Sequence, residues 1–234
     1  PLFQAEDGIR DFLLSLVGSE MCIRDRDYPD PVVLALPRGG IPIAIEVARA
    51  LAAPMDLILV RKIGVPSQPE LAAGAIVDGG EPETIYNDDV IAMTGLTRDR
   101  VDELGKGQLE EIERRRALYL KDRPAVPVAG RTAIVVDDGI ATGATARAAL
   151  HAMRRKQAQK VVLAVPVGPT DTLASFAGEA DEVICLSEPT PFYAIGIHYL
   201  DFRQLDDDDV IDLMAEADRL RGDETEPPGT DTQT

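Results

Sequence analysis

Five short aliphatic runs constrain this chain most: VVLAL (32–36), DLILV (56–60), TAIVV (132–136), KVVLAV (160–165) and EVICL (182–186). None alternates apolar with polar residues, as a strand with one wet face would. Unbroken β-branched stretches of this length need cover on both faces, which is the condition of a parallel sheet. Helical patterns at 41–52, 143–156 and about 170–178 fall between several of the runs. The alternation predicts an α/β fold, a parallel sheet of about five strands flanked by helices, with right-handed crossovers. Such sheets bind ligands at the carboxyl ends of their strands. The residues that follow each run are therefore the ones to read for chemistry.

After the run ending at Val136 come two adjacent acids, Asp137 and Asp138, and then GIATGAT (139–145). Neighbouring carboxylates repel, so the plainest role for them is an exposed turn that stops a strand. The other role is a pair of acceptors for two vicinal hydroxyls. The small residues Ala141, Thr142, Gly143, Ala144 and Thr145 turn into a helix, with two hydroxyls beside its first free N–H groups. That is a cradle for a monophosphate. A ribose 5-phosphate spans cradle and acids, its 2- and 3-hydroxyls on the carboxylates.

Two further loops have anion-binding features. LPRGGIP (36–42) offers Gly39 and Gly40 for close backbone approach, Pro42 for the first turn of a helix, and Arg38 as a forked donor. After DLILV stand the adjacent cations Arg61 and Lys62, which either cap the strand in solvent or are carried onto a polyphosphate by the segment behind them. No GxxxxGK[ST] is present, and no GxGxxG follows the first run, so the P-loop and dinucleotide readings fail.

Between these landmarks, RKIGVPSQPELAAG (61–74) has Gly and Pro where regular structure would be interrupted and reads as a mobile loop. AIVDGGEPETIY (75–86) reads as a hairpin around Gly79–Gly80. Residues 97–120 form an amphipathic helix opened by a Thr97 cap, with Glu110/Arg114 and Glu111/Arg115 in favourable order. EPTPFYAIGIHYLDF (188–202) is a candidate hood over the site, with Phe192, Tyr193, Tyr199 and Phe202 as stacking surfaces for an acceptor or as ordinary core. DDDD (206–209) caps the positive end of a last helix and is assigned no metal. Residues 27–220 are expected to form the domain and the acidic, Pro-containing 221–234 a disordered tail. Residues 1–26 match nothing in the alternating pattern and resemble translated sequencing-adapter read-through, a non-native extension.

Composition narrows the class. The chain has 234 residues, 45% hydrophobic, with a net charge of −17, which supports an aliphatic core and argues against duplex nucleic acid or membrane surfaces as partners. A small anion needs only a few local cations and stays admissible. The two cysteines, Cys22 and Cys185, have neither metal spacing nor a disulfide framework, which fits a cytoplasmic protein. No run reaches the roughly 18 apolar residues of a membrane span.

VVDDGIATGAT (135–145) is similar to the phosphoribosyl-pyrophosphate (PRPP) motif of type I phosphoribosyltransferases, and LALPRGGIPIAIEVARAL and VRKIGVPSQPELAAGAI resemble that family's pyrophosphate and flexible loops. The resemblance runs from about Val32 to Val210 and is nearest to bacterial members of unassigned substrate. It implies PRPP-dependent phosphoribosyl transfer to a nitrogen nucleophile, a nucleobase or related small molecule, with release of pyrophosphate and dependence on Mg2+. A non-catalytic PRPP- or nucleotide-binding regulator on the same fold is the alternative. Asp137 and Asp138 would hold the ribose hydroxyls and meet the metal mostly through PRPP. Ala141 to Thr145 would wrap the 5-phosphate. Arg38, Gly39, Gly40, Arg61 and Lys62 would meet pyrophosphate, Arg61 and Lys62 as the catalytic cations, and the Arg38–Gly39 bond would be cis. Phe192, Tyr193 and Tyr199 would face the acceptor. A homodimer is compatible with this reading. Ala141 departs from the hypoxanthine-guanine enzymes, which carry an Asp there that is thought to assist deprotonation of the purine.

Overall fold

A computed structural model describes residues 23, 26–78, 82–121, 123–199 and 202–223. Five parallel strands form the central sheet: β1 (Pro31–Ala35), β2 (Met55–Leu57), β6 (Thr132–Val136), β7 (Lys160–Val167) and β8 (Glu182–Ser187), in the order β2-β1-β6-β7-β8. β6 has all five residues buried, and β7 all but its first. This is why those runs show no alternation. Helices α1 (Gly40–Leu51) and α4 (Ala144–Arg155) follow β1 and β6. The chain leaves β1 in one direction, to β2, and later re-enters the sheet on the other side of β1 as β6. The order therefore reverses between β1 and β6, and their carboxyl ends flank the crevice where open α/β sheets take ligands.

A second, antiparallel sheet interrupts the parallel one. It comprises β3 (Leu59–Val65), β4 (Gln68–Asp78) and β5 (Pro82–Tyr86) in that order. Helix α2 (Asp88–Thr94) follows, capped by the Asn87 side chain, and then α3 (Arg98–Tyr119), capped by Thr97, whose hydroxyl accepts from Arg100 N–H at 3.2 Å. In α3 the Glu111–Arg115 pair forms at 2.6 Å, whereas Arg114 turns to Glu111 at 2.8 Å instead of Glu110. β7 leads through the short α5 (Thr170–Ala174) to β8. After β8 come a 3-10 turn (Ile195–His198) and a last helix, α6 (Asp207–Asp223).

The run DLILV divides between the two sheets, a division its apolar character does not reveal. Met55–Leu57 pairs with β1, while Leu59 onward pairs with β4. Buried Asp56 pins the junction, accepting from Leu57 N–H and from Val126 N–H, both at 2.8 Å. The segment after Lys62, expected as a mobile loop, is the β3–β4 hairpin. Its Gly and Pro do not prevent pairing. Register shifts occur on both sides of Gly64, where a Cβ would lie 2.5 Å from the Pro69 carbonyl oxygen. Glycine is what lets the strands close at this bulge. The β4–β5 pairing bears out the second hairpin; its expected turn, Gly79–Gly80, lies outside the described residues.

Helix α3 packs on one face of the antiparallel sheet and α4 faces the other. Asp78, only 2% exposed, accepts from the Arg116 guanidinium at 2.9 and 3.1 Å, tying β4 to α3. Of the expected N-terminal extension, residues 1–22, 24 and 25 lie outside the described residues, as does most of the expected tail. Ile23 is fully buried in the core, and Arg26 pairs with Glu182.

Candidate functional site

The carboxyl ends of β1 and β6 are joined by backbone bonds. Leu36 N–H donates to the Val136 carbonyl at 2.8 Å, and Gly40 N–H to Leu36 at 3.0 Å. This brings the Pro37–Gly40 turn against the acids. A Cβ on Gly39 would stand 2.5 Å from Asp138 Cγ, and one on Gly40 would stand 2.6 Å from the Val136 carbonyl oxygen. The two glycines are thus required by the close approach of two loops. The cis peptide of this turn is Pro37–Arg38, one bond before the expected Arg38–Gly39.

Asp137 and Asp138 are half-buried at the end of β6. Asp137 Oδ1 accepts from the Asp138 N–H at 2.9 Å. Burial raises the pKa of Asp137 well above the usual carboxylate range, and the neighbouring Asp138 charge adds to it. Burial likewise raises Asp138. Two acceptors are held here at a cost that a donor-rich ligand would offset. A turn whose only task was to end a strand would have no reason to desolvate them.

Beyond the acids the loop opens. Ala141, Thr142, Ala144 and Thr145 are exposed, and Gly143 is buried beneath them with φ +75°, the left-handed residue that starts α4. This open run of small residues stands at a helix N-terminus, the form an anion cradle would take. The cradle borders a cavity of about 520 Å³ between α4 and the antiparallel sheet, lined by Thr142, Ala144, Thr145 and, across from them, Lys62.

The two adjacent cations separate. Successive side chains of a strand point to opposite faces, and β3 is regular there. Lys62 faces α4 and the cavity; Arg61 lies on the α3 side, its Nε donating to Gln108 Oε1 at 3.1 Å. The expectation that both sit in a loop and converge on one anion does not describe this arrangement. Arg38 is held from the C-terminal end of the chain, its guanidinium bonded to the Leu205 carbonyl and 3.3 Å from Asp207 Oδ1. Asp207 also accepts from Tyr119 OH and pairs with Arg114 at 3.4 Å. The DDDD stretch does cap α6 through Asp206 and Asp209, whose side chains accept from each other's backbone N–H at 2.9 Å. The role of Asp207 toward Arg38 was missed, and nothing local in the sequence signals it.

The hood aromatics differ from one another. Tyr199 is buried, and its OH donates to the Asp138 carbonyl. Burial drives its pKa strongly upward, with the two aspartates adding to the effect, so it stays a donor and a buttress instead of a stacking surface. Phe202 tilts against it at 5.1 Å, and Phe192 stacks on His198 at 5.7 Å. Tyr193 is 77% exposed. Ile195 touches Gly139, where a Cβ would lie 2.9 Å from Ile195 Cγ2. Ile195 and Tyr199 therefore rest this segment on the acid-bearing loop.

Fold and site together define an α/β protein that gathers two adjacent carboxylates, an open loop of small residues at a helix start and a glycine turn with a cation at one switch point. The sequence model of the phosphoribosyl transferase domain matches residues 18–187, and the chain belongs to that family. It is 51% identical over 188 residues to a Mycobacterium tuberculosis protein provisionally named a phosphoribosyl transferase, in both the CDC 1551 and H37Rv strains. That match takes in 80% of this chain and 42% of the relatives, so the chain spans less than half their length. The crystal structure of TT1426 from Thermus thermophilus is similar throughout, with a TM-score of 0.78 and 34% identity over 92% of this chain and 99% of that one.

Proposed function

We propose that the chain transfers the phosphoribosyl group of PRPP to a nitrogen nucleophile and releases pyrophosphate. The observation that supports this most is the half-buried Asp137–Asp138 pair, set between the Gly39 turn and the open 141–145 loop. In this reading the two carboxylates accept the ribose 2- and 3-hydroxyls. The free N–H groups at the start of α4 and the Thr142 and Thr145 hydroxyls hold the 5-phosphate. Arg38 and the Gly39–Gly40 backbone meet the pyrophosphate from one side, and Lys62 meets it from the β3 face. Arg61 supports that strand from its other face and reaches the anion only by giving up Gln108.

Among the described residues no three His, Cys, Asp or Glu side chains cluster as a metal cage. Two carboxylates beside a polyphosphate suit magnesium, which keeps most of its water and takes its remaining ligands chiefly from substrate phosphates. Asp137 and Asp138 are the residues that would hold it, largely through PRPP, and when bound it neutralises charge on the departing pyrophosphate. The chain's own residues keep the ribose in place while C1 becomes electron-poor and the acceptor nitrogen closes on it. Ala141 offers no base, so the acceptor arrives deprotonated or loses its proton to a group outside the cradle. Phe192 and Tyr193 are the aromatic surfaces we assign to it.

The test is pyrophosphate release from PRPP and magnesium across a panel of nucleobases and small amines, with calorimetric titration of PRPP alongside. Release with one acceptor class establishes the transfer. PRPP binding without release from any acceptor would move the chain to the regulator reading, and no PRPP binding would refute both.

A further inference from the structure

We propose that Phe176 is a positioning residue for the phosphate cradle, setting its affinity for the 5-phosphate of the substrate without touching it. The inference rests on reading 141–145 as that cradle. Gly143 has φ +75°, and a Cβ there would lie 2.7 Å from Phe176 Cζ and 3.3 Å from Thr172 Cγ2. The ring tip thus presses on the one buried residue of the loop, whose neighbours Ala141, Thr142, Ala144 and Thr145 stay exposed.

Phe176 is itself fixed. It is fully buried, and the Arg147 guanidinium lies over its ring at 4.9 Å. Arg147 belongs to α4 and reaches back, with Nε 3.0 Å from Glu179 Oε1 and Nη2 2.9 Å from Ser175 Oγ. Its own N–H donates to the Gly143 carbonyl at 2.8 Å. Thr172 completes the clamp, its hydroxyl donating to the Ala141 carbonyl at 3.2 Å. The stretch 172–179 therefore grips the loop at Ala141, at Gly143 and through Arg147, while leaving the exposed N–H groups of α4 free for a ligand.

A left-handed glycine on an unsupported loop samples many conformations. An anion site at a helix start needs its N–H groups to converge before the ligand arrives, since ordering them afterwards subtracts from affinity. Phe176 provides that convergence. A core aromatic with no such role would affect every ligand equally, through stability alone.

The experiment compares wild type with Phe176→Leu by calorimetric titration of ribose 5-phosphate and, separately, of pyrophosphate with magnesium, beside thermal melts. Leucine keeps an apolar side chain but withdraws the ring tip from Gly143. Ribose 5-phosphate should weaken at least tenfold and pyrophosphate, which lies toward Arg38 and Lys62, by less than twofold. Phe176→Met, longer and unbranched, should restore most of the lost affinity; if the leucine variant does not melt cooperatively, Phe176→Ile, which also ends short of Gly143, carries the same comparison. Equal loss for both ligands, or no loss for either, in a cooperatively folded variant overturns the inference. Wild type that binds pyrophosphate but not ribose 5-phosphate overturns the cradle reading itself.

Discussion

Replacing Asp137 by Asn should make the ligand-free protein more stable and the ligand weaker. Asn retains an Oδ1 that can accept the Asp138 N–H, bonded at 2.9 Å in the native chain, so the turn keeps its hydrogen bond and loses only the charge. In the native chain burial and the neighbouring carboxylate raise the Asp137 pKa. The folded state therefore holds a proton that the unfolded chain releases near pH 4. The linked stability is full below that value and is lost as pH rises through the raised native pKa. Each unit of the upward shift costs the folded wild type about 1.4 kcal/mol at neutral pH, a cost the Asn variant does not carry. Against this, a carboxylate accepting a sugar hydroxyl contributes about 1.5–3 kcal/mol, so PRPP should bind roughly tenfold to a hundredfold more weakly. Urea unfolding at pH 5 and pH 8, with and without PRPP and magnesium, reads both effects. The gap in favour of Asn should widen from pH 5 to pH 8 without ligand and shrink or reverse with it. A variant that is no more stable than wild type at pH 8, or that binds PRPP as well, would refute the reasoning.

Gly39→Ala should cost roughly 1–3 kcal/mol by overpacking and abolish PRPP binding. Its φ of −63° suits any residue, so the damage is all displacement of Asp138, visible as a lower melting temperature and a flat titration. Tyr199→Phe should lose about 1 kcal/mol, the Asp138 carbonyl losing its phenolic donor; chemical denaturation measures this. Lys62→Ala should weaken PRPP about tenfold, the size of one charge-assisted hydrogen bond, and Arg61→Ala by less than about twofold, because the two side chains occupy opposite faces of β3. Equal effects in parallel titrations would show that the strand rearranges around ligand.

The strands and the site were legible to different depths. Unbroken apolar runs made β1, β6, β7 and β8 readable, and the position of Asp137 and Asp138 just past one of them pointed to the ligand end of the sheet. Apolar runs report burial but not partner, which is why DLILV gave no sign that Ile58 separates two sheets. Gly64 and Pro69 read as breakers because composition alone cannot distinguish a loop from a bulge where two strands touch. The separation of Arg61 from Lys62 follows from strand geometry and was hidden only by the loop assignment. Phe176 and Asp207 lie far along the chain from the loops they touch, and contacts of that kind leave no local periodicity.

The hold of Leu205 and Asp207 on Arg38 spans nearly the length of the domain, 167 residues separating Arg38 from Leu205. During synthesis every strand of the parallel sheet has emerged before that grip can form. Contacts so distant in sequence close late in folding. The cation beside the Gly39 turn thus acquires its direction only when the start of α6 docks, so the order of maturation runs from the acids, fixed locally, to Arg38, fixed last. Fraying at the start of α6 would therefore be felt first at the opposite end of the sequence, as a chain that still presents its two aspartates but has lost the aim of Arg38.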